Sequence, residues 1–426
     1  MTGCGQVVLT MYRRHRCAEM RPAMISKRLR LYTRAGKLPI ITVFVVLAGI
    51  IIPFASGFGR VIEARAAETE ELPDTGQVCD DIDYQEIQNV VDDITGQSSQ
   101  FDFKEYVGAF IRGEKPFSLS VLWKDMLDGI RMQFANDKNT VIRLLSIAVI
   151  AAVFTNFSRV FGSNQVAETG FYVTYLLMFA VLTTSFLAAS SLAVRTLSLL
   201  LDFMKVLLPT YFLTIAFSAG ARTSLVFYES TLFMISAVDL ILIKIILPVI
   251  QIYFVLVLAN NLSKEDMLSK LTELLEMIIQ WTLKTLMGAV IGFNVIQGII
   301  VPAADYVKNS AFMKAAGVIP GIGNALGSVT ETVLGAGVLV KNAVGAAGLV
   351  VIVIICAIPL LKLAVYALIY KFGTALVQPI SDKRILNCMN ASVQSARLLL
   401  YTVGIGAVLF LLTIAIISST TNLHLS

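Results

Sequence analysis

The stretch Leu349-Val-Val-Ile-Val-Ile-Ile-Cys-Ala-Ile-Pro-Leu-Leu-Lys-Leu-Ala-Val-Tyr-Ala-Leu-Ile-Tyr-Lys371 decides the fold class, because Lys362 is its only charge before the closing lysine. A helix needs about 20 consecutive apolar residues to cross a hydrocarbon core of about 30 Å, and this run supplies them. Working outward, comparable runs occupy 141–161, 171–194, 197–219, 231–258, 283–301 and 398–418. Together they predict an all-α integral membrane protein with about seven transmembrane helices. The run 197–219 is the most interrupted, by Asp202 and Lys205. Composition agrees: 56% of the 426 residues are hydrophobic and 15% charged, whereas soluble chains carry roughly a quarter charged residues.

The N-terminal side of the apolar runs reads as an export signal. Arg13, Arg14, Arg16, Arg21, Lys27, Arg28, Arg30, Arg34 and Lys37 precede an apolar run from Leu38 to Phe58, which is followed by Ala64-Arg65-Ala66. Basic region, apolar region and small-x-small site form the order of a secretory signal, so 1–66 is expected to be a leader cleaved after Ala66. An uncleaved first transmembrane helix is the alternative, and Met20 or Met24 are alternative starts. From Ala67 to Thr140 the chain carries 16 Asp or Glu against 6 Lys or Arg, which makes 67–140 an aqueous, extracytoplasmic region. Ile87, Val90, Val91 and Ile94 follow helical spacing, as do Leu122, Met126, Ile130 and Phe134, so a small bundle of amphipathic helices is predicted there. The polytopic membrane domain then fills 141–426.

Two stretches of that domain depart from ordinary spans. After Ser263, a plausible N-cap, Leu268, Leu271, Leu275 and Ile278 share one face and predict an interfacial amphipathic helix. The segment 302–348 is rich in Gly and Ala, with Gly317 and Gly321, and Gly323 and Gly327, each four apart. Such spacing lets helix backbones approach closely. With Pro302 and Pro320 it predicts broken or re-entrant helices buried within protein, where irregular backbone is tolerated at membrane depth. A faint echo relates Pro248 and the helix of Gly288 and Gly292 to Pro359 and the helix of Gly404 and Gly406, a pattern that transporter repeats also show.

The chemistry on offer is that of charge inside a membrane. Asp202 and Lys205 are three apart and neighbours on a helix; Asp239 and Lys244 are five apart, about 140° around an α-helix. With Glu331, Lys341 and Lys362 they are the candidate lining of a conduction path; lysines that snorkel or pair structurally are the alternative. Histidine occurs only at His15 and His424, and the five cysteines form no CxxC pair, so neither a metal centre nor a disulfide is expected. The Gly-rich run 317–327 lacks the Gly-Lys-Ser/Thr of a phosphate loop. The net charge of +5 reflects basic residues at helix ends and in the leader, a pattern of membrane orientation and not of nucleic-acid binding. No cofactor and no enzymatic activity are expected.

Several stretches also resemble one known family. Gln297-Gly-Ile-Ile-Val-Pro-Ala-Ala-Asp305, Lys314-Ala-Ala-Gly-Val-Ile-Pro-Gly-Ile-Gly323, Val338-Leu-Val-Lys-Asn-Ala-Val-Gly345, Cys356-Ala-Ile-Pro-Leu-Leu-Lys362 and Leu376-Val-Gln-Pro-Ile-Ser-Asp382 are similar to the hallmark of the stage III sporulation protein AE family. The resemblance is strongest over 286–384. It implies a non-enzymatic core subunit of a mother cell to forespore channel, or feeding apparatus, in the mother-cell membrane surrounding the forespore. Implied partners are the other membrane proteins of the stage III sporulation A operon, their secretion-type ATPase and, across the intermembrane space, stage II sporulation protein Q. No catalytic or ligand-binding residue comes with the family. A stand-alone secondary transporter of a small solute or ion is the rival reading, and a purely structural scaffold a third. Seven spans after export would put the loop near Lys383, Arg384 and Arg397 outside, against the positive-inside rule.

Overall fold

The computed structural model describes residues 84–89, 102–111, 142, 146, 149–150, 164–219, 221–262, 267–316, 323–379, 381 and 383–420. All the described residues belong to one compact unit, Arg60–Ser426. The predicted leader with its cleavage site at Ala66, the helix around Leu122 to Phe134, and most of the expected span 141–161 lie outside the described residues.

Every described element is helical: α1 Phe103–Ile111, α2 Asn164–Ala219, α3 Ala221–Asp239, α4 Leu247–Leu262, α5 Ser269–Ala316, α6 Gly323–Val377 and α7 Lys383–Thr420. A π-helical stretch, Leu240–Ile246, joins α3 to α4. Among the described residues five helices are long and apolar enough to cross a membrane: Glu168–Ala216, Ser224–Leu262, Ser269–Gln297, Gly335–Val377 and Lys383–Ser418. Helix is the economical answer for such sequences even where Val and Ile abound, because it satisfies every backbone polar group within the segment. Buried hydroxyls follow the same logic. Thr374, Thr402 and Thr413 each donate at 2.8 Å to the carbonyl four residues back.

The expected spans 171–194 and 197–219 are two halves of one helix. At their junction Arg195 and Thr196 carry no turn signal, and Thr196 Oγ1 donates to the Leu192 carbonyl at 2.8 Å, so the backbone never reverses. The 56 residues of α2, with Pro209 inside it, amount to about 84 Å of helix measured along its axis, far beyond a single hydrocarbon core of about 30 Å. The expected interfacial helix is likewise the opening of α5, with Leu271 and Ile278 exposed on its outer face. The Gly-rich segment is not a separate element either. Its beginning completes α5, its end opens α6, and 317–322 between them lie outside the described residues.

Helix α7 is the centre of the bundle. It packs against α6, α5, α2 and α4, and 72% of its apolar window is buried, against 22–50% in the other four. Small residues on it, including Ser392, Ser395, Ala396 and Ala407, are fully or almost fully enclosed. The outer surface is apolar, as Val173, Phe233, Ile252, Trp281 and Phe372 show, which is the pattern expected where lipid replaces water as solvent.

Cross-bundle contacts define two ends. At one, Tyr175 donates to the Leu258 carbonyl at 2.5 Å, Tyr370 to Ser185 Oγ at 2.5 Å, and the Arg384 guanidinium lies 3.5 Å from the centre of the Phe171 ring. The start of α2, the end of α4, the start of α5, the end of α6 and the start of α7 therefore gather there. At the other end Ser224 donates to the Phe212 carbonyl, closing the turn between α2 and α3, and Ser418 donates to Asn342 Oδ1 at 3.3 Å.

The acidic region contributes α1, which packs on α6. Asp102 caps it by accepting from the Glu105 amide at 3.0 Å. Helical residues 85–89 dock on its start, where Gln88 Oε1 accepts from the Phe103 amide at 2.8 Å and the Tyr84 and Phe103 rings lie 5.7 Å apart. Ile87 and Phe103 are fully buried, while burial pushes the Tyr106 hydroxyl up to about 12.

Candidate functional site: polar side chains inside the bundle

Glu276 is the best-connected carboxylate inside the bundle among the described residues. Its Oε1 accepts from Gln394 Nε2 at 2.6 Å and from Gln280 Nε2 at 2.9 Å, and its Oε2 from the Tyr253 hydroxyl at 3.3 Å. One half-buried side chain thus ties α5 to α7 and α4. Nearby, Asn260 Oδ1 accepts from the Leu268 amide at 2.7 Å, fixing the chain where it turns from α4 into α5. Gln251 Nε2 donates to Ser190 Oγ at 2.9 Å and joins α4 to α2.

Toward the other end, Asn294 Nδ2 donates to the Val290 carbonyl at 2.9 Å and to Thr413 Oγ1 at 3.1 Å, with Met234 Sδ at 3.6 Å. Gln297 Nε2 donates to Ser230 Oγ. Asn294 is almost fully buried and Gln297 nearly so. Helices α3, α5 and α7 are therefore cross-linked by neutral amides and hydroxyls, the class of interaction that holds helices together where burial supplies no net drive.

The charged candidates read from sequence are spread out. Asp202 and Lys205 meet at 3.9 Å, but their side chains are 61% and 47% exposed on the outer face of α2. Asp239 is half-buried and Lys244 exposed. Between them the helix widens into its π stretch, with Leu247 N–H bonded to the Leu242 carbonyl. Pro248, which follows, has no N–H, and its ring would press on the carbonyl of Lys244 in an α-helix; widening relieves that contact. Lys362 is half-buried and Lys341 fully buried. The Glu331 side chain, Gly317 and Gly321 lie outside the described residues, and Gly323 and Gly327 fall in the opening of α6, whose side chains do too.

Close helix approach is instead visible at glycines that the spacing argument did not single out for packing. A Cβ on Gly348 would stand 2.7 Å from Leu207 Cδ2, and one on Gly406 2.6 Å from Leu197 Cδ2. Gly345 faces the Tyr211 ring, 3.3 Å from where its Cβ would be. These positions draw α2, α6 and α7 together. Cys356 and Cys388 are buried free thiols.

A family model described as Stage III sporulation protein AE matches residues 101–421. The Stage III sporulation protein AE of Bacillus subtilis (strain 168) is 23% identical over 315 residues, covering 74% of this chain and 79% of that protein. No solved structure matches. The family match encloses α1 to α7 and with them both polar junctions, and so the chain belongs to the stage III sporulation protein AE family.

Proposed function

We propose that this sporulation protein is a non-enzymatic core subunit of a channel, or feeding apparatus, in the mother-cell membrane around the forespore. The observation that supports the reading best is the interior of the bundle: side-chain hydrogen bonds at Glu276 and at Asn294 tie α5 to α4 and α7, an arrangement suited to a fixed scaffold within a larger assembly. The charges of Asp202 and Lys205 are turned outward, where charge facing lipid costs about 2.5–3.5 kcal/mol per group. They suit a surface covered by partners, which would be the membrane proteins and the ATPase of the stage III sporulation A operon. The acidic region 67–140, anchored by α1 on α6, would face the intermembrane space and partners that meet stage II sporulation protein Q.

Orientation follows from the fold of α2. With 171–219 as a single crossing, an exported 67–140 and a span over 141–161 would put the connections from α4 to α5 and from α6 to α7 on the cytoplasmic side. From α2 to α7 that end carries Lys264, Lys270, Lys371, Lys383 and Arg384, against Arg222, Lys308 and Lys314 at the other, an excess in the direction of the positive-inside rule.

Proteoliposomes holding the purified chain alone are expected to show no solute or ion flux above empty vesicles. Uptake by the chain without partners would replace the channel-subunit reading with that of a secondary transporter. In cells, the combined substitution Asp202→Ala, Lys205→Met, Asp239→Ala and Lys244→Met is expected to lower the yield of heat-resistant spores. An unchanged yield would remove these four residues from any conduction or docking role.

A further inference from the structure

The junction of α3, α5 and α7 has more acceptors than donors. Thr413 Oγ1 donates to the Leu409 carbonyl at 2.8 Å, and Ser230 Oγ donates to the Val226 carbonyl at 2.7 Å. With their protons committed to the backbone, both hydroxyls accept from the amides, Thr413 from Asn294 Nδ2 and Ser230 from Gln297 Nε2. The Val290 carbonyl, which can only accept, takes the other Asn294 N–H and fixes that amide's orientation. As a result Asn294 Oδ1 and Gln297 Oε1 have no hydrogen-bond partner, and neither has the Thr231 hydroxyl. The three residues are 1%, 9% and 0% exposed. Asn294 and Gln297 are one turn apart on the same side of α5, and on α3 Thr231 is one turn before Met234, whose Sδ lies 3.6 Å from Asn294 Nδ2.

An unpaired buried acceptor costs about 1–3 kcal/mol, so several in one place favour an occupant that accepts electron pairs. The donors are all neutral, hard oxygens. Divalent ions are held mainly by carboxylates, and Glu276 lies about 27 Å away along α5, while the Glu229 side chain is exposed. We propose that Asn294 Oδ1, Gln297 Oε1 and Thr231 Oγ1 form part of a binding site for a monovalent alkali cation between α3, α5 and α7. The site is independent of the channel reading, since it concerns this chain alone.

The test uses the full chain in detergent and follows its thermal unfolding midpoint in sodium, potassium or N-methylglucamine chloride at equal ionic strength. Sodium or potassium is expected to raise the midpoint in a saturable way that N-methylglucamine does not reproduce. Gln297→Met, Asn294→Leu and Thr231→Val each remove one oxygen at similar volume, and each is expected to raise the half-saturating concentration about tenfold or more. Thr231→Val leaves both amides in place and serves if the other two do not fold. A midpoint indifferent to cation identity would mean that water alone fills the junction and would overturn the proposal. An undiminished cation response in the variants that fold would overturn it equally.

Discussion

Gly348→Leu is expected to lower the unfolding midpoint of the detergent-solubilised protein more than any conservative core substitution. Even the first added carbon at this position would lie 2.7 Å from Leu207 Cδ2 and 3.5 Å from Ile414 Cδ1, and three more carbons would have to enter the same seam. Extra methylene groups in a packed interior cost about 1–3 kcal/mol through displaced side chains and backbone. Here the seam joins α2, α6 and α7, so relief for one helix presses on the other two. Gly406→Leu is expected to behave alike, because its Cβ would stand 2.6 Å from Leu197 Cδ2 and 3.3 Å from Leu242 Cδ1. Gly348→Ala should cost less, since the nearest atom is the mobile end of a leucine. Gly288→Leu is the control, because a Cβ there meets nothing within 4 Å; equal losses at Gly288 and Gly348 would show that close packing is not the cause.

Glu276→Ala is expected to cost roughly 2–4 kcal/mol in equilibrium unfolding, because hydrogen bonds to a charged group contribute about 1.5–3 kcal/mol and their donors are left behind. Tyr253, Gln280 and Gln394 would all lose their acceptor. Glu276→Gln should recover only part of the loss, since one carboxylate oxygen becomes a donor facing other donors. Glu273, one turn earlier, pairs with Lys270 at 2.9 Å with both side chains largely exposed. Its replacement by alanine should stay within about 0.5 kcal/mol, as for surface ion pairs generally. A Glu276→Ala variant as stable as Glu273→Ala would mean that the junction of α4, α5 and α7 is not held by that carboxylate.

The helical membrane class was legible in single stretches such as 349–371, because apolar length is a one-dimensional property. Where one helix ended and the next began was not. The polar pair Arg195-Thr196 looks like a connection, yet it contains neither Gly nor Pro, and a helix of apolar flanks carries straight through it. Pro302 looks like a break, yet α5 runs through it to Ala316, whereas Gly317, Pro320 and Gly321 lie outside the described residues, between the end of α5 and the start of α6.

Among polar residues, formal charge drew attention to Asp202, Lys205, Asp239 and Lys244, which the fold leaves exposed or half-buried. The residues that connect the helices are mostly neutral. Asn294 and Gln297 stand three apart in the apolar run 283–301, and Glu276 and Gln280 four apart before it, so their shared faces were readable in principle. What they face across the bundle, α3 and α7 for one pair and α4 and α7 for the other, depends on long-range packing that no spacing within one helix encodes.

The proposed placement in the membrane rests on one claim: that α2 crosses once, so that the connections from α4 to α5 and from α6 to α7 share the cytoplasmic face with the basic end of the bundle. Single cysteines at Thr140, Ser269, Ser310 and Ser381, in a chain lacking Cys4, Cys17 and Cys79, can be labelled in intact cells with a membrane-impermeant maleimide. Labelling at Thr140→Cys and Ser310→Cys, with Ser269→Cys and Ser381→Cys reactive only after the membrane is opened, is the expected result. Labelling of Ser269→Cys and Ser381→Cys in intact cells would contradict it and restore two crossings to 171–219.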